Sequence, residues 1–203
     1  YRVKIIVKEK NFYFDLPYST GNFISNVLAC IAILNVLNLN LKKIRRKFKN
    51  FKIPTGRGDV KIVKKFKKVF KFVDESYNAN PLSMSSAIKN ISHYKIKKNS
   101  KKIAFLGDML ELGSKSKRLH KELSKIVNES DLDKVFVYGN YIRETFKHLL
   151  KHKKGKIFNN LIEAHDYFRK FINNNDLLMI KGSNATGLNQ FSKNIKKGQI
   201  SAI

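Results

Sequence analysis

The sequence predicts an α/β fold built on a mostly parallel β-sheet. Three observations carry that prediction. From Asp59 onward, short runs rich in Val, Ile and Phe alternate with helical patterns of about ten residues, the signature of βαβ units. Three of the runs end in polar or Gly-rich turns, "VDESYNANP", "FLGDMLELG" and "IKGSNATG", and open α/β sheets bind ligands beyond the carboxyl ends of their strands. Finally, a chain of 203 residues with 42% hydrophobic and 11% aromatic residues can bury a substantial core.

The elements follow in order. "RVKIIVKEK" and "FYFDLP" read as two β segments joined near Lys10-Asn11. In "STGNFISNVLACIAILNVLNLN", Ile24, Val27, Leu28, Ile31 and Leu34 recur at helical spacing. Ala29 and Ala32 widen that face, which predicts a mostly buried helix. Cys30 lies inside this pattern and is expected to be a buried small residue in a reducing compartment. "LKKIRRKFKNF" sets Leu41, Ile44 and Phe48 on one face of a short surface helix. Pro54, Gly56 and Gly58 in "KIPTGRGD" break the pattern, placing a domain boundary between segments 1–53 and 54–203.

Beyond it, "DVKIVKKF" and "KVFKFVD" read as a hairpin. A helix is expected from Pro81 through Ile91, then strand "KKIAFLGD", helix 116–128, strand "KVFVYG" and helix 140–150. Strand "KIF", helix 161–172, strand "DLLMIKGS" and helix 187–196 complete the series.

Charge is the most conspicuous number: 42 Lys and Arg against 15 Asp and Glu, a net +27. Cations that neutralise phosphates release counterions, so a nucleic acid is one class of partner to weigh. The window Lys42–Lys71, with Asp59 as its only acid, fits that class. Basic residues recur at 95–102 and 151–156, however, so they ring the chain. The richness in Lys, Ile and Asn also matches AT-rich codons. No nucleic-acid partner is expected on charge alone. No apolar run reaches the roughly 20 residues of a membrane span; Phe23–Leu39 is interrupted by asparagines. The N-terminus lacks a signal peptide's apolar core, and its Tyr start is what a fragment would show.

Several clusters carry possible chemistry. Asp74 and Glu75 close a strand, where a carboxylate can accept the hydroxyls of a ribose. Asn78 and Asn80 either present amides to a ligand or serve an Asx turn and a helix cap ahead of Pro81. Arg57 between two glycines combines a mobile backbone with a planar cation suited to phosphate; a flexible linker is the plain alternative. Lys181, Gly182 and Ser183 suit an anion at a strand end, although no G-x-x-x-x-G-K-[ST] occurs anywhere. Asp108 and Glu111 belong to a loop expected to cap and turn. The five histidines (93, 120, 148, 152, 165) show no metal-ligand spacing, a single Cys makes no thiolate cluster, and no G-x-S-x-G elbow occurs. No metal site is expected in this chain.

Taken together, "DESYNANPLSM", "KKIAFLGDMLELG" and "LLMIKGSNATGL", in that order, resemble the later part of the Mur ligases, with the likeness running from about Phe12 to Lys196. It is strongest to the branch that adds D-alanyl-D-alanine to UDP-N-acetylmuramoyl-tripeptide. The resemblance implies a Rossmann-like C-terminal domain over 54–203, preceded over 1–53 by the tail of an α/β P-loop ATPase domain. It implies ATP and Mg²⁺, an acyl phosphate attacked by the incoming amine, and a cytoplasmic monomer. The P-loop and the metal ligands are expected upstream, so the chain alone is expected to be inactive.

Residue by residue, it implies that Asn26 contacts adenine, Arg57 serves as the interdomain arginine, and Asp74 or Glu75 takes the ribose, with Glu75 the better aligned. Asn78 joins the ATP side, while Asn80, Lys181 and Ser183 face the dipeptide. Closure at the Gly-Arg-Gly link would keep water from the acyl phosphate. Two positions depart from the family pattern: Asn22 stands where a His is usual, and Asn184 where an Arg commonly follows Lys-Gly-Ser. Two alternatives stand beside this reading: a basic nucleic-acid-binding module, and a folylpolyglutamate synthase. Against the latter, Asn-Ala-Asn-Pro lacks the His that such a relative places before its Asn-Pro.

Overall fold

The computed structural model describes residues 1–17, 21–52 and 54–202. The Ser19-Thr20 start of the first predicted helix and Ile53 at the predicted boundary lie outside the described residues, as does the side chain of Asn22. The chain divides into two compact units, Tyr1–Ile53 and Pro54–Ile203.

In the first unit, β1 (Arg2–Val7) and β2 (Lys10–Asp15) pair antiparallel, with Ile5 opposite Phe12. Their two-residue turn is Lys8-Glu9, earlier than the expected Lys10-Asn11, and both residues have positive φ. That is the backbone whose twist suits a tight hairpin. Helix α1 (Gly21–Val36) ends where Asn38 takes φ 53°. The amide of Asn38 donates to the Asn35 carbonyl and that of Leu39 to the Leu34 carbonyl, the double bond of a Schellman stop. Asn40 caps α2 (Leu41–Ile44) by accepting from the Lys43 amide.

Ile5, Phe14, Leu16, Val27, Ile31, Leu41 and Phe48 form the core of this unit, with Phe14 edge-on to Phe48 at 5.2 Å. The expectation of a mostly buried α1 is corrected. Only the Val27/Ile31 stripe is buried, whereas Leu28, Ile33 and Val36 are exposed. Cys30 is exposed as well, not a core residue. The sequence pattern is apolar on more sides of α1 than this unit covers.

The second unit is a seven-stranded sheet. Its strands are β3 (Asp59–Lys65), β4 (Lys68–Glu75), β5 (Lys102–Gly107), β6 (Lys134–Tyr138), β7 (Lys154–Phe158), β8 (Leu177–Lys181) and β9 (Gln199–Ala202), in spatial order β7-β6-β5-β8-β4-β3-β9. The five strands from β7 to β4 run parallel; β3 pairs antiparallel with both β4 and β9. The helices are α3 (Pro81–Asn90), α4 (Ser116–Glu129), α5 (Ile142–Lys147), α6 (Leu161–Phe171) and α7 (Leu188–Lys196). The short β9 was not expected, and α5 is shorter than the predicted 140–150.

Two cores sandwich the sheet, and the side-chain alternation of the strands sorts residues between them. In β5, Ile103 and Phe105 enter the core shared with α6 and α7, while Ala104 and Leu106 enter the core shared with α3, α4 and α5. In β8, Leu178 and Ile180 go one way, Leu177 and Met179 the other. Strands buried on both faces explain the unbroken apolar runs. The helix after β8 therefore covers one face and the helices after β4 and β5 the other. The carboxyl ends of β5, β8 and β4 lie side by side where their connections part, the crevice in which such sheets bind ligands.

Candidate functional site

Two side chains meet at that edge because β4 and β8 are in register. Glu75 and Lys181 are Cα partners, and both close their strands. Lys181 is fully buried; its Nζ lies 3.3 Å from Glu75 Oε2 and donates to the Asn78 carbonyl at 3.0 Å. Burial pushes the lysine down from its ordinary pKa, and Glu75 opposes that push. Burial pushes Glu75 up, and Lys181 opposes it. The pair holds a partly exposed carboxylate at a fixed point above the sheet.

The Gly-Arg-Gly link packs against the same turn. The Gly58 amide donates to the Asp74 carbonyl at 2.7 Å, and the Tyr77 amide donates to the Gly56 carbonyl at 3.1 Å. Gly56 and Gly58 have φ of +80° and +92°. A Cβ at Gly56 would stand 3.0 Å from Tyr77 Cβ, and one at Gly58 would stand 2.9 Å from Glu75 Oε1. Both positions thus demand glycine for conformation and for space. The backbone expected to be mobile is fitted to residues 74–77. Between the glycines, the exposed Arg57 sets its guanidinium 4.5 Å from the centroid of the Tyr77 ring.

Asp74, Asn80 and Ser183, also predicted for the site, have polar side-chain atoms already engaged. Asp74 is 1% exposed and accepts from the amide (3.1 Å) and hydroxyl (2.6 Å) of Ser76. It also pairs with Lys196, whose Nζ is 3.7 Å from Asp59. Burial acts to raise its pKa, but Lys196 and Ser76 bring it below the ordinary carboxylate value. Asn80 is the N-cap of α3 in a reciprocal box with Ser83, and Pro81 opens the helix. The Ser183 hydroxyl donates to the Ala79 carbonyl and accepts from the Leu110 amide, tying together the turns after β4, β5 and β8. Asn78 is exposed beside the pair that holds its carbonyl. Asn26 lies on the exposed side of α1 in the first unit.

Beyond β5, β6 and β7 opens a cleft of about 290 Å³ lined by Asp108, Asn140, Arg143, Asn159 and Thr186, among others. Asp108 accepts the amides of Asn140 (2.9 Å) and Ile142 (2.7 Å), so it caps a turn as its loop was expected to do. Arg143 donates to the Gly139 carbonyl at 3.1 Å and to Asn159 Oδ1 at 2.9 Å, and among the described residues no carboxylate pairs with it. The sequence reading missed Arg143. Its only signal was an arginine four residues after the glycine that ends "KVFVYG". Beneath the cleft, His120 is fully buried. Its Nε2 accepts from the Met109 amide at 2.9 Å, which leaves Nδ1 to donate to the Ser116 carbonyl at 2.7 Å. Burial depresses its pKa.

The donor set does not suit Mg²⁺. Asp59, Asp74 and Glu75 are each paired with a lysine, and among the described residues no group of three His, Cys, Asp or Glu side chains is placed to hold a metal.

Residues 60–184, more than half of the chain, match the family model described as Mur ligase, glutamate ligase domain. The chain belongs to the Mur ligase family. This Mur ligase chain is 24% identical over 184 residues to the UDP-N-acetylmuramoyl-tripeptide--D-alanyl-D-alanine ligase of Rickettsia prowazekii, covering 91% of the chain and 39% of that protein. It is 30% identical over 185 residues to the ligase of the same name from Buchnera aphidicola, covering 90% of the chain and 38% of the relative. The chain thus spans well under half the length of these curated relatives.

Among solved structures, MurF from Acinetobacter baumannii superposes with a TM-score of 0.77 at 20% identity, over 97% of this chain and 42% of that one. MurF from Thermotoga maritima, solved in complex with ADP, gives 0.73 at 23% identity, over 97% and 44%. At these identities the likeness establishes a shared fold, the Rossmann-like architecture of Mur ligase C-terminal domains.

Proposed function

We propose that this chain supplies the C-terminal wall of the nucleotide and dipeptide site of an ATP-dependent ligase. That ligase joins D-alanyl-D-alanine to UDP-N-acetylmuramoyl-tripeptide in peptidoglycan-precursor synthesis. The observation that carries the proposal is the convergence of Arg57, Tyr77, Glu75 and Lys181 at the carboxyl edge of the sheet. In this reading, segment 1–53 is the end of the central ATP-binding domain and 54–203 the C-terminal domain.

Each residue then has a physical task. Glu75, fixed from one side by Lys181, accepts ribose hydroxyls with its partly exposed oxygen. Arg57 offers a planar, permanently charged fork to the nucleotide phosphates. Asn26 is assigned to the adenine. The cleft beside Arg143 takes the free carboxylate of the dipeptide, because an arginine without an acid partner is a ready anion acceptor. Lys181 and Ser183 act by shaping the walls around these groups. Mg²⁺ would supply charge neutralisation at the transferred phosphoryl group, and its ligands are assigned to residues outside this chain. Closure over the acyl phosphate would exclude water and favour attack by the amine. The reading makes the protein cytoplasmic and monomeric; among the described residues no helix is long and apolar enough to cross a membrane.

The test uses the 203-residue chain in solution. Incubated with ATP, Mg²⁺, the UDP-linked tripeptide and the dipeptide, it forms no product, because the sequence contains no P-loop. Titrated separately with ADP and with D-alanyl-D-alanine, it shows NMR shift changes confined to residues 26, 57 and 74–80 for the first and to the Arg143 cleft for the second. ATP-dependent product formation by the chain alone would overturn the predicted inactivity. Shift changes spread over the lysine-rich surface would overturn the site.

A further inference from the structure

We infer that Tyr77 is a positioning residue for Arg57, an inference that rests on the reading of Arg57 as a nucleotide contact. Four facts converge on it. The Arg57 guanidinium lies over the Tyr77 ring at 4.5 Å. Tyr77 is 48% exposed, too open for a core aromatic. The Tyr77 amide is bonded to the carbonyl of Gly56, the residue preceding the arginine, at 3.1 Å. The space a Cβ at Gly56 would occupy is closed by Tyr77 Cβ and N, at 3.0 and 3.1 Å.

A long side chain on a backbone between two glycines would ordinarily sample many rotamers, and ordering it on binding costs affinity. Here the backbone is latched on both sides of Arg57, and the ring face holds the head group by cation–π attraction. Tyr77 thereby meets part of that ordering cost before any nucleotide arrives. It also ties the Arg57 side chain to residues 74–77 within the second compact unit. The phenolic hydroxyl has no part in this: the ring face is what the arginine needs.

Two measurements on the 203-residue chain test the inference. In the first, the Arg57 side-chain protons are displaced upfield by the Tyr77 ring current. Tyr77→Phe preserves that displacement and Tyr77→Leu abolishes it; protons at random-coil positions in the parent would overturn the inference. In the second, ADP affinity is read by NMR titration. Tyr77→Leu weakens it about two- to fivefold, the range a cation–π contact at an open site supports, and Tyr77→Phe restores it. In an Arg57→Ala background, Tyr77→Leu costs nothing further, since the ring acts only through the arginine. If Arg57→Ala weakens binding while Tyr77→Leu does not, the positioning role fails alone. If Arg57→Ala leaves affinity unchanged, the nucleotide reading of Arg57 fails with it. Far-UV circular dichroism of each variant verifies that the fold is kept.

Discussion

Lys181 Nζ stands 3.3 Å from Glu75 Oε2 at the one place where β4 and β8 end together in register. Burial drives both groups toward their neutral forms, and their mutual attraction opposes it. Removing one partner of such a pair leaves a charge without compensation, whereas removing both does not. Lys181→Met is expected to destabilise the chain by about 3 kcal/mol, with Lys181→Met/Glu75→Gln recovering much of that loss. Urea denaturation of the three proteins measures both values. A single variant as stable as the parent would mean the pair is solvated.

The two glycines around Arg57 are expected to respond differently to alanine. Both substitutions force an L-residue into positive φ, which costs on the order of 1–2 kcal/mol. At Gly56 the added methyl meets the Tyr77 Cβ and backbone amide, which cannot yield, so the stability loss is the larger. At Gly58 it meets the tip of Glu75, which can swing aside. Gly58→Ala should therefore lose less stability than Gly56→Ala and weaken ADP binding. Thermal melts paired with nucleotide titrations separate the two outcomes.

His120 makes stability depend on pH. Its folded-state pKa is depressed by burial, so between that value and the unfolded value of roughly 6.5 the unfolded chain binds more protons. Stability is therefore intact above the unfolded value and falls as pH drops through and below it. A second loss follows below the ordinary carboxylate range as Asp74, whose folded pKa is lowered, takes up a proton. Urea midpoints at pH 7.5 and pH 5.5 should differ in the parent and nearly coincide in His120→Leu. Equal pH dependence in both proteins would assign the effect to another group.

Asn80 is engaged as a helix cap, and capping alone accounts for its chemistry here. Asn80→Ala should cost about 1 kcal/mol, and Asn80→Ser should restore it, because serine also caps. The serine variant is expected to bind the dipeptide as the parent does. Restored stability with lost dipeptide affinity would return Asn80 to the ligand side.

Much of this architecture was legible in the sequence because it is written in local patterns. The parallel sheet shows in runs such as "KKIAFLG", and its carboxyl edge in the polar turns after β4, β5 and β8. The boundary near residue 53 rested on Pro54 and two glycines, and the two compact units divide at that point. What was not legible depends on distant pairings. Asp74 is buried against Lys196, an interaction between residues 122 positions apart (196 − 74) that no spacing announces. Gly56 and Gly58 look like flexible punctuation until Tyr77 and Glu75 fill the space beside them. Arg143 becomes conspicuous only when β6 and β7 bring Asn159 to its side. Cys30 sits in a pattern that promised burial, and burial depends on what covers a helix.

The bare side of α1 sets the colloidal behaviour of this polypeptide. Leu28, Ile33 and Val36 are exposed along it, on a molecule with a formal net charge of +27. In dilute buffer, electrostatic repulsion keeps copies apart. As ionic strength rises and the Debye length contracts from about 10 Å at 0.1 M toward 3 Å at 1 M, that protection fades while the exposed apolar side chains remain. Salt, usually added to keep a basic protein in solution, would bring this one to aggregation, and light scattering across a salt series would record the onset.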